Sequence, residues 1–146
     1  ELQQRLTHSD SPLEAPAWTL GQVKLTVWYY SEERKLVSII HSCWAFRQNG
    51  RYPPDPYVSL LLLPDKNWGT KRKSSQKKRT LNPEFNEQFE WKLPLDEAFR
   101  RKLDVSVKSS SSFMSREREL LRKVQLDLAE IDLSQGAVQW YDLMDD

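Results

Sequence analysis

Apolar and polar residues alternate along this chain in a series of short runs. Val23, Leu25 and Val27 are separated by Lys24 and Thr26, a period of two that places one side of a strand on a core and the other toward solvent. Leu36 to Ile40 continues in β-branched residues, and the intervening Ser31-Glu32-Glu33-Arg34 suits a hairpin, so two adjacent antiparallel strands are expected. Tyr57 to Leu63 reads as the next strand. Phe89 and Trp91 lie two apart on one face of another, and Leu103, Val105 and Val107 alternate with Asp104, Ser106 and Lys108. Val124, Leu126 and Leu128 form a further strand, with Val138, Trp140 and Leu143 near the last. The spacing predicts one short helix between Pro94 and Arg101, where Asp96 and Glu97 come early and Arg100 and Arg101 late, complementing the helix dipole.

Turn formers separate these runs. Gln48 to Pro56 contains three prolines that remove amide donors, so it reads as an exposed loop. Pro64 to Gly69 and Leu81-Asn82-Pro83 are turns, and Ser109 to Ser112 opens a polar loop that extends through Glu119. Short strands at this spacing, with no βαβ rhythm, predict an all-β fold: an eight-stranded antiparallel β-sandwich with one short helix. Residues 1–20 carry Pro12 and Pro16 and no sustained periodicity, which reads as an N-terminal linker or arm and suggests excision from a longer protein. The sandwich is expected over 21–146.

Length limits this chain to one core: 146 residues suffice for a single compact domain and not comfortably for two. The longest apolar stretch, Val58 to Leu63, is interrupted by Ser59 and stopped by Pro64, far short of the ~18 residues a spanning helix needs. The N-terminal residues lack the layout of a secretory signal, and the single cysteine, Cys43, cannot form an internal disulfide, so a cytosolic, reducing setting is expected. Cys43 follows an alternating run and reads as a small strand residue.

Charge changes the picture more than composition does. The net charge is only +1, yet six of the nine residues from Lys71 to Arg79 are basic, while Asp142, Asp145 and Asp146 lie together at the C-terminal end. As a strand, this segment would place Lys71, Lys73, Lys77 and Arg79 on one face and Arg72, Ser74, Gln76 and Lys78 on the other, a phase that a bulge would shift. Cations on one face near an anionic leaflet contribute about 1 kcal/mol each, enough together for weak, salt-sensitive docking. Charge guarding an edge strand against aggregation is the plain structural alternative. Nucleic acid is not expected as a partner, because no aromatics interleave with the cations from Lys71 to Arg79. Catalysis is not expected either: His8 lies in the arm and His41 on an apolar strand, with no Gly-rich phosphate loop and no Cys/His metal spacing, so no cofactor is called for.

Three pieces fall in a telling order: Asp55-Pro56-Tyr57-Val58 opening a strand, Thr80 to Glu87 (TLNPEFNE) after the basic segment, and Trp140-Tyr141-Asp142-Leu143 at the end. Together, across roughly residues 21–143, they resemble a C2 domain, and among these the last C2 domain of an extended synaptotagmin. The resemblance implies a test for calcium, whose ligands would fall on Asn49, Asp55, Ser109, Ser111 and a position near Glu117. At most two of these are carboxylates, with Arg116 and Arg118 beside one, too little charge to dehydrate a divalent cation. Calcium independence is therefore expected. The resemblance also implies a lysine-rich patch for phosphatidylinositol bisphosphate. Tyr57 and Lys73 match it, whereas Ser59, Ser75 and Lys108 stand where other members use lysine or an aromatic.

The expected function is that of a peripheral module binding anionic phospholipid membranes, phosphoinositides among them. Lys71, Lys73, Lys77 and Arg79 are the principal contacts, Arg72 and Lys78 secondary ones, and Tyr57 belongs to the same site. By resemblance the parent protein is a tether anchored in the endoplasmic reticulum, this domain reaches the plasma membrane from the cytosolic side, and lipid transfer belongs to another domain. The alternative is a protein-interaction module that meets an acidic partner or a neighbouring domain. Trp91 and Trp140 read as core, and Trp28, ending its strand, is open to either reading. Trp18, Trp44 and Trp68 lie in polar or loop surroundings, and Trp44 precedes a variable loop from which it could enter a membrane interface. Arg122 stands where such domains usually carry glycine, which predicts a strained turn.

Overall fold

The computed structural model describes residues 6–7, 21–45, 55–110 and 120–145. Among these residues ten strands appear in chain order: β1 (Leu6–Thr7), β2 (Gly21–Tyr30), β3 (Lys35–Ala45), β4 (Asp55–Leu63), β5 (Arg72–Lys73), β6 (Glu84–Lys92), β7 (Lys102–Ser110), β8 (Leu120–Asp127), β9 (Val138–Asp142) and β10 (Met144–Asp145). They form two antiparallel sheets, one ordered β1-β9-β2-β3-β6 and the other β10-β8-β7-β4-β5. Each sheet has a body of four strands, and a two-residue strand, β1 or β10, lengthens one edge. The eight-stranded sandwich expected from the alternation is that body. Helix α1 (Leu95–Ala98) is the short helix expected before Arg101, and Glu97 holds Arg101 at 2.9 Å across one turn.

The apolar phase of each run faces the space between the sheets. Val23, Leu25 and Val27 of β2 meet Val58, Leu60 and Leu62 of β4, Leu103, Val105 and Val107 of β7, and Val124 and Leu126 of β8, all buried. Full burial of such side chains stabilises by about 1.5 to 3 kcal/mol each, which fixes which side of every strand is inward. The β2–β3 hairpin turns through a 3-10 turn, Ser31–Glu33, and closes on Arg34 at a left-handed φ of 52°.

Some expectations need amendment. β1 lies inside the stretch read as a linker, pairing Leu6 with Tyr141 and Thr7 with Trp140; residues 1–5 and 8–20 are outside the described ones. Arg122 is not in a turn. It lies within β8, opposite Val107 on one side and Asp145 on the other, in ordinary extended backbone, so the expected strain does not arise. Trp91 is core as expected, whereas Trp140 is buried on the outer side of its sheet, paired with Lys24, whose ammonium lies 5.9 Å from its ring centre.

Candidate functional site

The basic segment follows the sheet edge, but only Arg72 and Lys73 are strand. Lys73 pairs with Ser59 and Arg72 with Leu60. Because Leu60 points into the core, Arg72 turns inward along the sandwich edge: its guanidinium lies 5.4 Å from the Trp91 ring centre and donates to the Glu90 carbonyl at 3.0 and 3.3 Å. It also donates to the carbonyls of Gly69 and Lys71. Arg72 thus bridges the two sheets and is committed to the fold.

After Lys73 the pairing is broken by one inserted residue. The Ser74 amide donates to the Val58 carbonyl at 2.8 Å, and the Val58 amide returns a bond to the Ser74 hydroxyl, also at 2.8 Å. The next contact joins the Lys77 amide to the Pro56 carbonyl at 2.9 Å. Three residues on the basic segment therefore span two on β4, the count of a β-bulge. The sequence phase places Lys77 with Lys73; the bulge places it on the inner side with Ser74 and Arg72, its ammonium 5.9 Å from the Phe85 ring centre. Alternation then returns Lys78, which is exposed, to the side of Lys73. Two further members of the expected face lie outside the strand. Lys71 precedes the strand and sits over Trp68 at 5.4 Å, and Arg79 takes a left-handed φ of 50° in the following turn, its amide bonded to the Asp55 carboxylate at 2.8 Å.

Lys73 is the cation of the segment that reaches the outer face of its sheet directly. Its ammonium lies 5.1 Å from the Tyr57 ring centre. Antiparallel partners share a face, and the register carries Tyr57 to Lys108 on β7, while Ser59 leads to Ser106 and then Lys123 on β8. Lys108 and Lys123 thus join the site although neither belongs to the basic segment. The β7 alternation records Lys108 as outward; Lys123 requires the β7–β8 pairing. Asp104 lies two residues from Ser106 on the same face, nearly buried, 3.4 Å from the Lys123 ammonium, and accepts from the Ser106 hydroxyl. The face is a cluster of lysines and one tyrosine around hydroxyls, with the Asp104 carboxylate among them.

Aromatic rings lie under four cations of the segment, over Trp68, Trp91, Tyr57 and Phe85, although none occurs within it. They come from the preceding turn, β4 and β6, where sequence adjacency does not display them. His41 is a strand residue as expected, its Nε2 2.9 Å from the Thr26 hydroxyl, and burial lowers its pKa. Trp44 is half-buried within β3 with its indole nitrogen donating to Gln22, so it is not the free loop aromatic that its position suggested.

A family model for the C2 domain matches residues 34–143. The chain belongs to the C2 domain family. It is 84% identical over 146 residues to extended synaptotagmin-1 of Pongo abelii and 42% identical over 149 residues to extended synaptotagmin-2 of Mus musculus; each alignment covers the whole chain. It spans only 13% and 17% of those relatives' lengths. Among solved structures, the solution structure of the third C2 domain of KIAA1228 protein superposes with a TM-score of 0.80 at 40% identity, covering 93% of this chain and 96% of that one. A C2 domain is a binding fold, not an enzyme family. The loop positions that hold calcium in C2 domains fit it poorly where they are described: Asp55 uses its carboxylate on the Arg79 amide, and Ser109 offers a hydroxyl in place of a carboxylate. Asn49, Ser111 and Glu117 are outside the described residues, among which no three His, Cys, Asp or Glu side chains converge.

Proposed function

We propose that this C2 domain is a non-catalytic, calcium-independent membrane-binding module that holds anionic phospholipid, phosphoinositides above all, on the outer face of the β10-β8-β7-β4-β5 sheet. The observation that carries this reading is the convergence of Lys73, Tyr57 and Lys108 from three adjacent strands, with Lys78 at the rim and Lys123 one strand further. A phosphorylated head group accepts charge-assisted bonds from several cations at once, and the tyrosine hydroxyl adds a neutral donor. Lys71 and Arg79 flank this face and add longer-range attraction within a Debye length of the bilayer. Lys77 acts in the same way from the inner side, and Arg72 mainly supports the edge.

The likeness to extended synaptotagmins supports the wider reading, in which the domain is one part of a tether between the endoplasmic reticulum and the plasma membrane and meets the latter from the cytosol. Co-sedimentation with vesicles of phosphatidylcholine alone, with phosphatidylserine, or with phosphatidylinositol bisphosphate tests it across salt concentrations, with calcium or a chelator. Binding is expected only with anionic lipid, strongest with the bisphosphate, weakened by salt and indifferent to calcium. Failure to bind any anionic vesicle at low salt would overturn the reading in favour of an acidic protein partner.

A further inference from the structure

We propose that Trp68 is a second and chemically different point of attachment, an indole that enters the interfacial layer of the bilayer while the cations beside it engage head groups. This rests on the anionic-membrane reading above and adds a salt-resistant component to it. Trp68 is 62% exposed; Leu95 and Phe99 are the other exposed large apolar side chains among the described residues, at 40% and 39%. All three stand in the connections at one end of the sandwich, β4 to β5 and β6 to β7, which Arg101 ties together by donating to the carbonyls of Leu62 and Pro64. That end is opposite the loops where C2 domains hold calcium.

The turn holds the indole outward. Trp68 adopts a left-handed φ of 60°, unusual for a bulky residue, and Gly69 beside it faces open space. Asp65 braces the turn from within, accepting from the Asn67 amide at 3.0 Å, the Thr70 amide at 2.7 Å and the Thr70 hydroxyl at 2.5 Å. The Thr70 carbonyl in turn accepts from the Trp91 indole at 2.6 Å. Two consequences follow. The one acid in the turn has its carboxylate engaged by two amides and the Thr70 hydroxyl, which offset part of its negative charge. The ring is also pre-positioned, so insertion orders little that was free.

Charge selects the occupant. The Lys71 ammonium lies 5.4 Å from the Trp68 ring centre, and Lys66 and Lys71 are both exposed, with the basic segment continuing along the edge from there. An indole with an ammonium over it is matched by a lipid interface, which offers phosphate at one depth and a zone favourable to tryptophan just below.

The test compares the unaltered chain with Trp68→Ala, Trp68→Phe and the charge reversal Lys73→Glu with Lys78→Glu. Vesicles of phosphatidylcholine and phosphatidylserine are used, with melting curves for each protein. Trp68→Ala is expected to weaken binding about tenfold, the factor that ~1.4 kcal/mol represents, with the salt dependence unchanged. Trp68→Phe is expected to recover part of the loss, and acyl-brominated phosphatidylcholine should quench a fluorescence component that disappears in Trp68→Ala. Equal binding by folded Trp68→Ala, with no quenched component assignable to Trp68, would overturn the inference and leave the cationic reading standing. Loss in Trp68→Ala with none in the charge reversal would uphold Trp68 and remove the cationic reading. A chain that binds no anionic vesicle at all would remove both.

Discussion

The Lys77 amide donates to the Pro56 carbonyl at 2.9 Å, one residue out of step with the pairing of Lys73 and Ser59. That offset decides which cations of the basic segment share a side. It moves Lys77 inward and Lys78 outward, and it divides the segment into residues that support the edge and residues that can meet a flat surface.

The division gives a direct comparison. Lys73→Glu with Lys78→Glu should lower affinity for anionic vesicles more than Lys73→Glu with Lys77→Glu, although both variants change net charge equally. At about 1 kcal/mol per engaged cation, the two should differ by several fold at moderate salt. Equal losses from two folded variants would show that the segment acts as an unoriented charge cloud.

Asp104 places a carboxylate inside the lysine face, 3.4 Å from Lys123. Asp104→Asn should tighten binding to phosphatidylinositol bisphosphate vesicles by about fivefold, since one negative charge then leaves the lysine face, an effect of ~1 kcal/mol. The pair is nearly buried, so the same substitution should lower Tm modestly. Unchanged lipid affinity would place Lys123 outside the binding face.

Arg72 stacks on Trp91 and donates to three carbonyls, so it belongs to stability more than to lipid contact. Arg72→Ala should cost about 2 kcal/mol and lower Tm by several degrees. Arg72→Lys should not restore it, because an ammonium lacks the planar fork that reaches those acceptors. Thermal unfolding of the two variants checks this.

Hydrogen bonds from the Thr70 hydroxyl and amide hold the Asp65 carboxyl down to about 2, from an ordinary value of 3.8. A depressed acid stabilises the fold above its unfolded value, and that contribution is lost as pH falls through its folded value. The stability gap between the unaltered chain and Asp65→Ala should therefore be constant near neutrality and shrink between pH 3.8 and about 2 in denaturant titrations.

Cys43 is buried and its thiol is pushed up to about 12 by desolvation. A thiol-specific disulfide reagent should leave it unmodified in the native state at mildly alkaline pH and react promptly once denaturant is added. Fast native labelling would mean that β3 opens readily near its end.

Much of this protein is legible in its residues one strand at a time. The alternation of Val23 to Val27, Leu103 to Val107 and Val124 to Leu126 determines which side of each strand is inward, because burying the apolar phase outweighs any other preference a half-buried strand has. The hairpin at Ser31 to Arg34, the helix before Arg101 and the density of cations from Lys71 to Arg79 are likewise local properties. Tertiary structure decided the rest. From Lys71 to Thr80 no apolar residue occurs, so nothing in that segment records its phase, and the bulge is set by hydrogen bonds that β4 offers through Val58 and Pro56. Lys123 joins Lys73, Tyr57 and Lys108 on one outer face through strand pairing, and Trp140 is buried on the outer side, paired with Lys24. Periodicity fixes a side chain's direction within a strand. Its neighbours on adjacent strands are fixed only by register, which is a property of the assembled sheet.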